Sequence, residues 1–147
     1  MIALKIYSCK IPGDLRIVSC TVKDIIRHLL EVYGTVEDLI LFELKVILNE
    51  LVSNAIKHGN KGDSSKFVKI IVGLTEKENA VVLIEDSGKG FDYGCFMKED
   101  NSTCDMTDVC SIKETGRGIL IVKSLSDKMK FNHKGNKVII AKKLSRG

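Results

Sequence analysis

The chain has 147 residues, 44% of them hydrophobic and 29% charged, with a formal charge of +4. That length allows one domain with a sizeable core, and the absence of Trp with only 5% aromatics makes the core aliphatic. Acids and bases are mixed along the chain, which excludes a strongly basic nucleic-acid-binding protein, and no apolar run reaches the roughly 18 residues of a membrane span.

The first segment, "IALKIYSCKI" at 2–11, alternates as a strand, and "PGD" turns the chain. Lys5 and the lack of a cleavage-like end argue against a signal peptide. Val18, Val22, Ile25, Ile26, Leu29 and Leu30 recur at helical spacing, so a helix is expected from about 15 to 32, ended by Gly34. Thr35 is the expected N-cap of a second helix, with Asp38 three residues on. That helix runs from about 36 to 58 and stops at Gly59. "FVKIIVGLTE" and "AVVLIEDSG" follow as two strands joined by "KEN". Residues 87–115 carry three glycines, scattered acids and little periodicity, which reads as a functional lid or a disordered loop. "GRGILIVKSLSDKMK" reads as a helix, and "KFNH" and "KVIIAKKL" as a closing hairpin; "KKLSRG" is a solvated tail. The order β-α-α-β-β-lid-α-β-β, with no linker or repeat, predicts a single α+β domain over 1–147, helices covering one face of a mostly antiparallel sheet.

Five cysteines (Cys9, Cys20, Cys95, Cys104 and Cys110) form no C-x-x-C pair, so neither a disulfide framework nor a zinc site is indicated. A reducing, cytoplasmic setting is expected.

Three stretches carry chemistry. Glu50 and Asn54 lie four residues apart, hence on one helix face, in "ELVSNAIKHGN". Alone, the pair reads rather as a solvated stripe on the face opposite the core. Asp86 ends a near-continuous apolar strand and opens "DSGKG"; a carboxylate there needs a donor. Alone, "DSGKG" is also an ordinary turn. "GRGI", Gly116 to Ile119, stands where the lid meets a helix, and glycines at a helix start let backbone N–H groups approach an anion.

In this order and spacing, "E-x-x-x-N-A-x-K-H-G", "D-x-G-x-G" and "G-x-G" resemble the GHKL ATPase and kinase superfamily. Within it the chain is similar to the small anti-sigma-factor serine/threonine kinases of sporulation and stress circuits. The resemblance implies the histidine-kinase-like two-layer α+β sandwich with an ATP lid at about 91–115. It implies ATP with Mg²⁺, Asn54 as the Mg²⁺ ligand, and Glu50 as general base toward a serine or threonine hydroxyl. Asp86 would accept the adenine amine, Gly88 and Gly90 would admit the nucleotide, and Gly116 and Gly118 would contact phosphates. Lys57 and Arg117 are further phosphate candidates, and His58 a structural cap at the helix end. Six acids in the lid depart from the family pattern. The implied partners are a sigma factor and a STAS-type anti-anti-sigma protein, with no direct nucleic acid or membrane contact. A homodimer through the first strand is compatible with it, and Arg16 and Arg27 are candidates for partner contact. Two other readings stay open: a nucleotide-dependent partner switch with little phosphotransfer, and a two-component-type catalytic domain acting on a histidine in another chain. For the latter, His28 in "IIRHLLE" lacks the usual context and is read as structural.

Overall fold

The computed structural model describes residues 3–59, 66–88 and 114–145. Strand β1 (Ala3–Pro12) leads through one 3-10 turn (Leu15–Ile17) into α1 (Val18–Tyr33). Helix α2 (Asp38–Asn54) follows and is continued by one π-helical turn (Ala55–Gly59). Strands β2 (Phe67–Thr75) and β3 (Asn79–Glu85), helix α3 (Glu114–Leu125), and strands β4 (Lys128–Phe131) and β5 (Lys137–Lys143) complete the described fold.

The strands form one sheet in the order β1-β2-β3-β5-β4, and each pairing is antiparallel. Side chains alternate across it. Val68, Ile70 and Val72 of β2, Val82 and Ile84 of β3, and Val138 and Ile140 of β5 are buried. They join the stripe of α1 (Val22, Ile25, Ile26, Leu29) and that of α2 (Leu44, Ile47, Leu48, Leu51) in one aliphatic core. Each stripe repeats every three or four residues, the period that keeps one helix face on the sheet. The helices therefore cover one face, as the two-layer α+β reading requires.

Local chemistry sets the boundaries. The Asp14 carboxylate accepts from the Arg16 backbone N–H at 2.9 Å and starts the first turn. Gly34 ends α1 with φ 107°, a left-handed conformation that suits glycine. Two boundaries differ from the sequence expectation. The N-cap of α2 is Glu37, with no side-chain capping bond, rather than Thr35. The neighbouring Val36 is buried in the core, so packing sets this helix entry. The last helix ends at Leu125 instead of running to Lys130; Lys128–Phe131 pairs with Val138–Ala141 as β4. Ladder hydrogen bonds and the partial burial of Met129 and Phe131 outweigh local helix propensity there.

Helices α2 and α3 run antiparallel. The buried ammonium of Lys142 on β5 donates to Glu43 on α2 and, at 2.7 Å, to the Leu125 carbonyl at the end of α3. Among the described residues no helix is long and apolar enough to cross a membrane.

Candidate nucleotide site

At the other end of the α2–α3 pair, Glu50 and Asn54 meet Gly118. A side-chain carbon on Gly118 would overlap the Glu50 carboxylate oxygen and stand 3.6 Å from Asn54 Nδ2. The three residues are packed together only because position 118 has no Cβ. Asn54 is buried, 8% exposed, and its Nδ2 has no hydrogen-bond partner among the described residues. An unsatisfied buried amide costs about 1–3 kcal/mol, so it calls for an explanation. The two ends of a carboxamide exchange by a half-turn of its terminal torsion, so the unpaired end can present oxygen to a hard cation. The donor chemistry at Asn54 therefore fits Mg²⁺.

The helix loses its regular pitch immediately after Asn54. The π-helical turn over "AIKHG" widens the chain where the polar residues cluster, a distortion often found at functional sites. Lys57 sits in that turn and is exposed.

Asn54 also lines a cleft whose other walls include Ala55, Ile84, Asp86, Phe131 and Asn136. Its volume is about 20 Å³, so a purine entering it must spread these walls. Asp86 follows β3 directly, and its Oδ1 accepts from the Gly88 N–H at 2.7 Å. The donor that the sequence demanded for this carboxylate is thus partly supplied by the "DSG" backbone itself. Burial pushes the Asp86 carboxyl above its usual range; the Gly88 bond opposes this, Glu85 adds to it, and Lys134 and Lys66 oppose it.

Asn136, in the β4–β5 turn, holds Asp86 in place. Its carbonyl accepts the Asp86 N–H at 2.9 Å, and its Nδ2 donates to the Asp86 carbonyl at 3.1 Å. The sequence reading took this stretch only as part of the closing hairpin. The place of Asn136 follows from the β3–β5 register, which sets Lys137 opposite Glu85 and so brings Asn136 to Asp86, and no local sequence signal marks it.

The remaining sequence candidates fall as follows. Gly88 is buried beside Asp86, whereas Gly90 and the lid up to residue 113 lie outside the described residues, with Cys95, Cys104 and Cys110. Gly116 and Gly118 are inside the first turns of α3, because the helix begins at Glu114, ahead of the glycines. Arg117 is exposed. Arg16 pairs with Asp14 at 2.9 Å and Arg27 with Asp24, both at the surface. His28 is half-exposed; its Nδ1 lies 2.8 Å from the Asp24 carbonyl and its ring meets Tyr7 edge-on at 5.0 Å, a structural setting.

The arrangement offers a carboxylate and, on the same helix face, a carboxamide whose Nδ2 is unpaired among the described residues, and beside them a cleft ended by a second carboxylate. Such a set can order a triphosphate and its base while keeping one carboxylate available for proton transfer. A family model described as a histidine kinase-like ATPase domain matches residues 14–142. The serine-protein kinase RsbW of Bacillus subtilis is 26% identical over 135 residues, which cover 91% of this chain and 81% of that one. The anti-sigma F factor of Clostridium perfringens is 29% identical over 114 residues, 76% of each chain. The histidine kinase domain of a blue-light activated histidine kinase from Erythrobacter litoralis shares the fold, with a TM-score of 0.55 at 19% identity, over 88% of this chain and 62% of that chain. With nearly the whole described core inside the matched span, the chain belongs to the histidine kinase-like ATPase domain family.

Proposed function

We propose that this chain is an ATP-dependent serine/threonine protein kinase that doubles as an anti-sigma factor, with residues 1–147 forming one such domain. It would hold a sigma factor out of transcription and phosphorylate a small anti-anti-sigma protein of STAS type. The observation that carries this reading is the triplet of Glu50, Asn54 and Gly118, a carboxylate beside a buried carboxamide whose Nδ2 has no partner among the described residues. The similarity to RsbW and to an anti-sigma F factor supports the choice of substrate and partner.

Asn54 would hold Mg²⁺, which when bound offsets charge on the phosphates. Asp86, kept in place by Asn136, would accept the adenine amine, and Gly88 and Gly90 would leave room for the nucleotide. Gly116 and Gly118, with Arg117 between them and Lys57 three residues after Asn54, would face the phosphates. Transfer requires the acceptor hydroxyl oxygen to attack the γ-phosphorus in line as the bond to the β–γ bridging oxygen breaks and ADP leaves. Glu50 would take the hydroxyl proton. It lies one helical turn before Asn54, so base and phosphates are held on one rigid helix.

The test is incubation of the purified chain with γ-³²P-labelled ATP, Mg²⁺ and the STAS-type anti-anti-sigma protein of the same cell. Acid-stable label on that protein is expected, and Glu50→Gln should lower the rate by about 10²–10⁴ while nucleotide still binds. Acid-labile label would move the chain to histidine phosphorylation. An absence of label together with intact, nucleotide-dependent sigma-factor binding would leave a switch without phosphotransfer.

A further inference from the structure

Helix α2 carries large apolar residues on its outer side, interleaved with exposed Asp38, Lys45 and Asn49, where a surface helix is normally polar. Phe42 is 63% exposed and Leu39 49% exposed, and Val46 is partly exposed one turn further on. Positions 39, 42, 46 and 50 follow one another at helical spacing, so this apolar stripe leads directly to the carboxylate of Glu50. Helix α3 extends it. Gly118 lies against Glu50, and Leu125 shares the Lys142 ammonium with Glu43. Ile121, between those two contacts and 43% exposed, therefore stands level with Val46. An exposed aromatic with three aliphatic neighbours is the composition of a protein-contact surface.

We propose that this stripe is the docking surface for the phosphoacceptor protein. The inference rests on the kinase reading of Glu50 and names what that reading leaves open, namely where the substrate lies. Two arguments point to this occupant. The first is direction. The cleft formed with Asp86 and Asn136 extends from Asn54, so the nucleotide occupies the C-terminal side of Glu50. An in-line nucleophile must come from the side away from the leaving group, which leaves the α2 surface before Glu50 for the protein that carries the hydroxyl. The second is distance. A standard interface covers roughly 800 Å² on each partner, a disc about 16 Å in radius. At 1.5 Å rise per residue, Val46, Phe42 and Leu39 lie about 6, 12 and 16 Å along the helix from Glu50. A substrate with its hydroxyl at Glu50 covers them. An aromatic anchor with an aliphatic surround is the usual core of such a contact.

The decisive experiment places a photo-crosslinking benzoylphenylalanine at position 42 in the full chain, with ATP, Mg²⁺ and the anti-anti-sigma protein present. The same probe at Val32, which is 52% exposed on α1, is the control. Crosslinking to the anti-anti-sigma protein from 42 and not from 32 is expected. In steady-state assays Phe42→Glu should raise the KM for that protein by on the order of 30-fold, with kcat at saturation and nucleotide affinity unchanged. Val32→Glu should change neither. Crosslinking from position 42 only within the chain, only to a sigma factor, or only to a second copy overturns the proposal, as does an unchanged KM. A wild-type chain that transfers no phosphate yet crosslinks from 42 upholds the docking surface and refutes the kinase reading instead.

Discussion

At one end of the α2–α3 pair a buried ammonium, Lys142, donates to the Glu43 carboxylate and the Leu125 carbonyl. At the other end a buried carboxamide, Asn54, keeps an Nδ2 with no partner among the described residues, beside a carboxylate packed on a bare glycine. The same two helices thus enclose a charge pair that is matched and a carboxamide end that is not; the Ser126 hydroxyl, just past Leu125, is the other buried polar group without a partner among the described residues. A buried group without a partner is a cost that folding alone gives no reason to keep. The difference separates a fastening from a binding site, and each end can be tested for the behaviour of the other.

The largest effect is expected at the satisfied end. Lys142→Ala leaves the Glu43 carboxylate and the Leu125 carbonyl without their donor and opens a gap between α2, α3 and β5. Removing one partner of a buried ion pair costs about 3–5 kcal/mol, which chemical denaturation would register as a lower midpoint at unchanged slope. Glu43→Leu combined with Lys142→Met should recover most of that loss, since an apolar pair of similar volume needs no desolvation of charge. If the double variant is no better than Lys142→Ala, the Leu125 carbonyl, rather than the ion pair, is what fastens α3.

The unsatisfied end should respond in the opposite sense. Gly118→Ala improves helix propensity by up to about 1 kcal/mol, and the atom that its Cβ meets is the far end of the flexible Glu50 side chain. Glu50 can swing away, so unfolding should show a stability equal to or above wild type. The same swing takes the carboxylate out of position, and the phosphotransfer rate should fall by more than tenfold, since misplacing a reacting group by about 1 Å can cost 10²-fold. Combining Gly118→Ala with Glu50→Gln should add little to Glu50→Gln alone, because both act on one group. A Gly118→Ala chain with full activity would show that the close approach does not position the base.

This contrast also marks how far the amino-acid sequence could be read. Helices α1 and α2 and strands β2, β3 and β5 were legible because their apolar periods are long and local. Residues 128–130 were not, since "SDKMK" is compatible with a helix, and only pairing with Val138–Ala141 makes it a strand. The types of the site residues were legible as well: Glu50 and Asn54 share a face by spacing alone. Their state was not. That Asn54 is buried, with its Nδ2 unpaired among the described residues, depends on α3 packing across it, and the pattern "G-x-G" gave no sign that Gly118 seats a carboxylate. Asn136 was invisible for the same reason, because its hold on Asp86 follows from the β3–β5 register, a pairing across some fifty residues.

The smallest effect separates the two ends most finely, since it concerns a single carboxylate at the cleft. Burial raises the Asp86 carboxyl above its ordinary value, even though the Gly88 N–H and two lysines oppose the shift. An acid raised on folding binds protons more tightly in the native state than in the unfolded one. It therefore costs stability above its folded pKa, and that cost disappears as pH falls from the raised value toward the ordinary aspartate value of about 3.9. Asp86→Asn removes the cost and keeps an oxygen for the Gly88 N–H. At neutral pH the variant should unfold at slightly higher denaturant than wild type, and the two curves should converge as pH falls through that window. Its affinity for ATP should drop, because a carboxamide is a weaker acceptor for the adenine amine than a carboxylate. Parallel stability curves at every pH would mean that Asp86 is as well solvated as a surface carboxylate; convergence with weakened nucleotide binding would mark it as a group held against stability for a ligand.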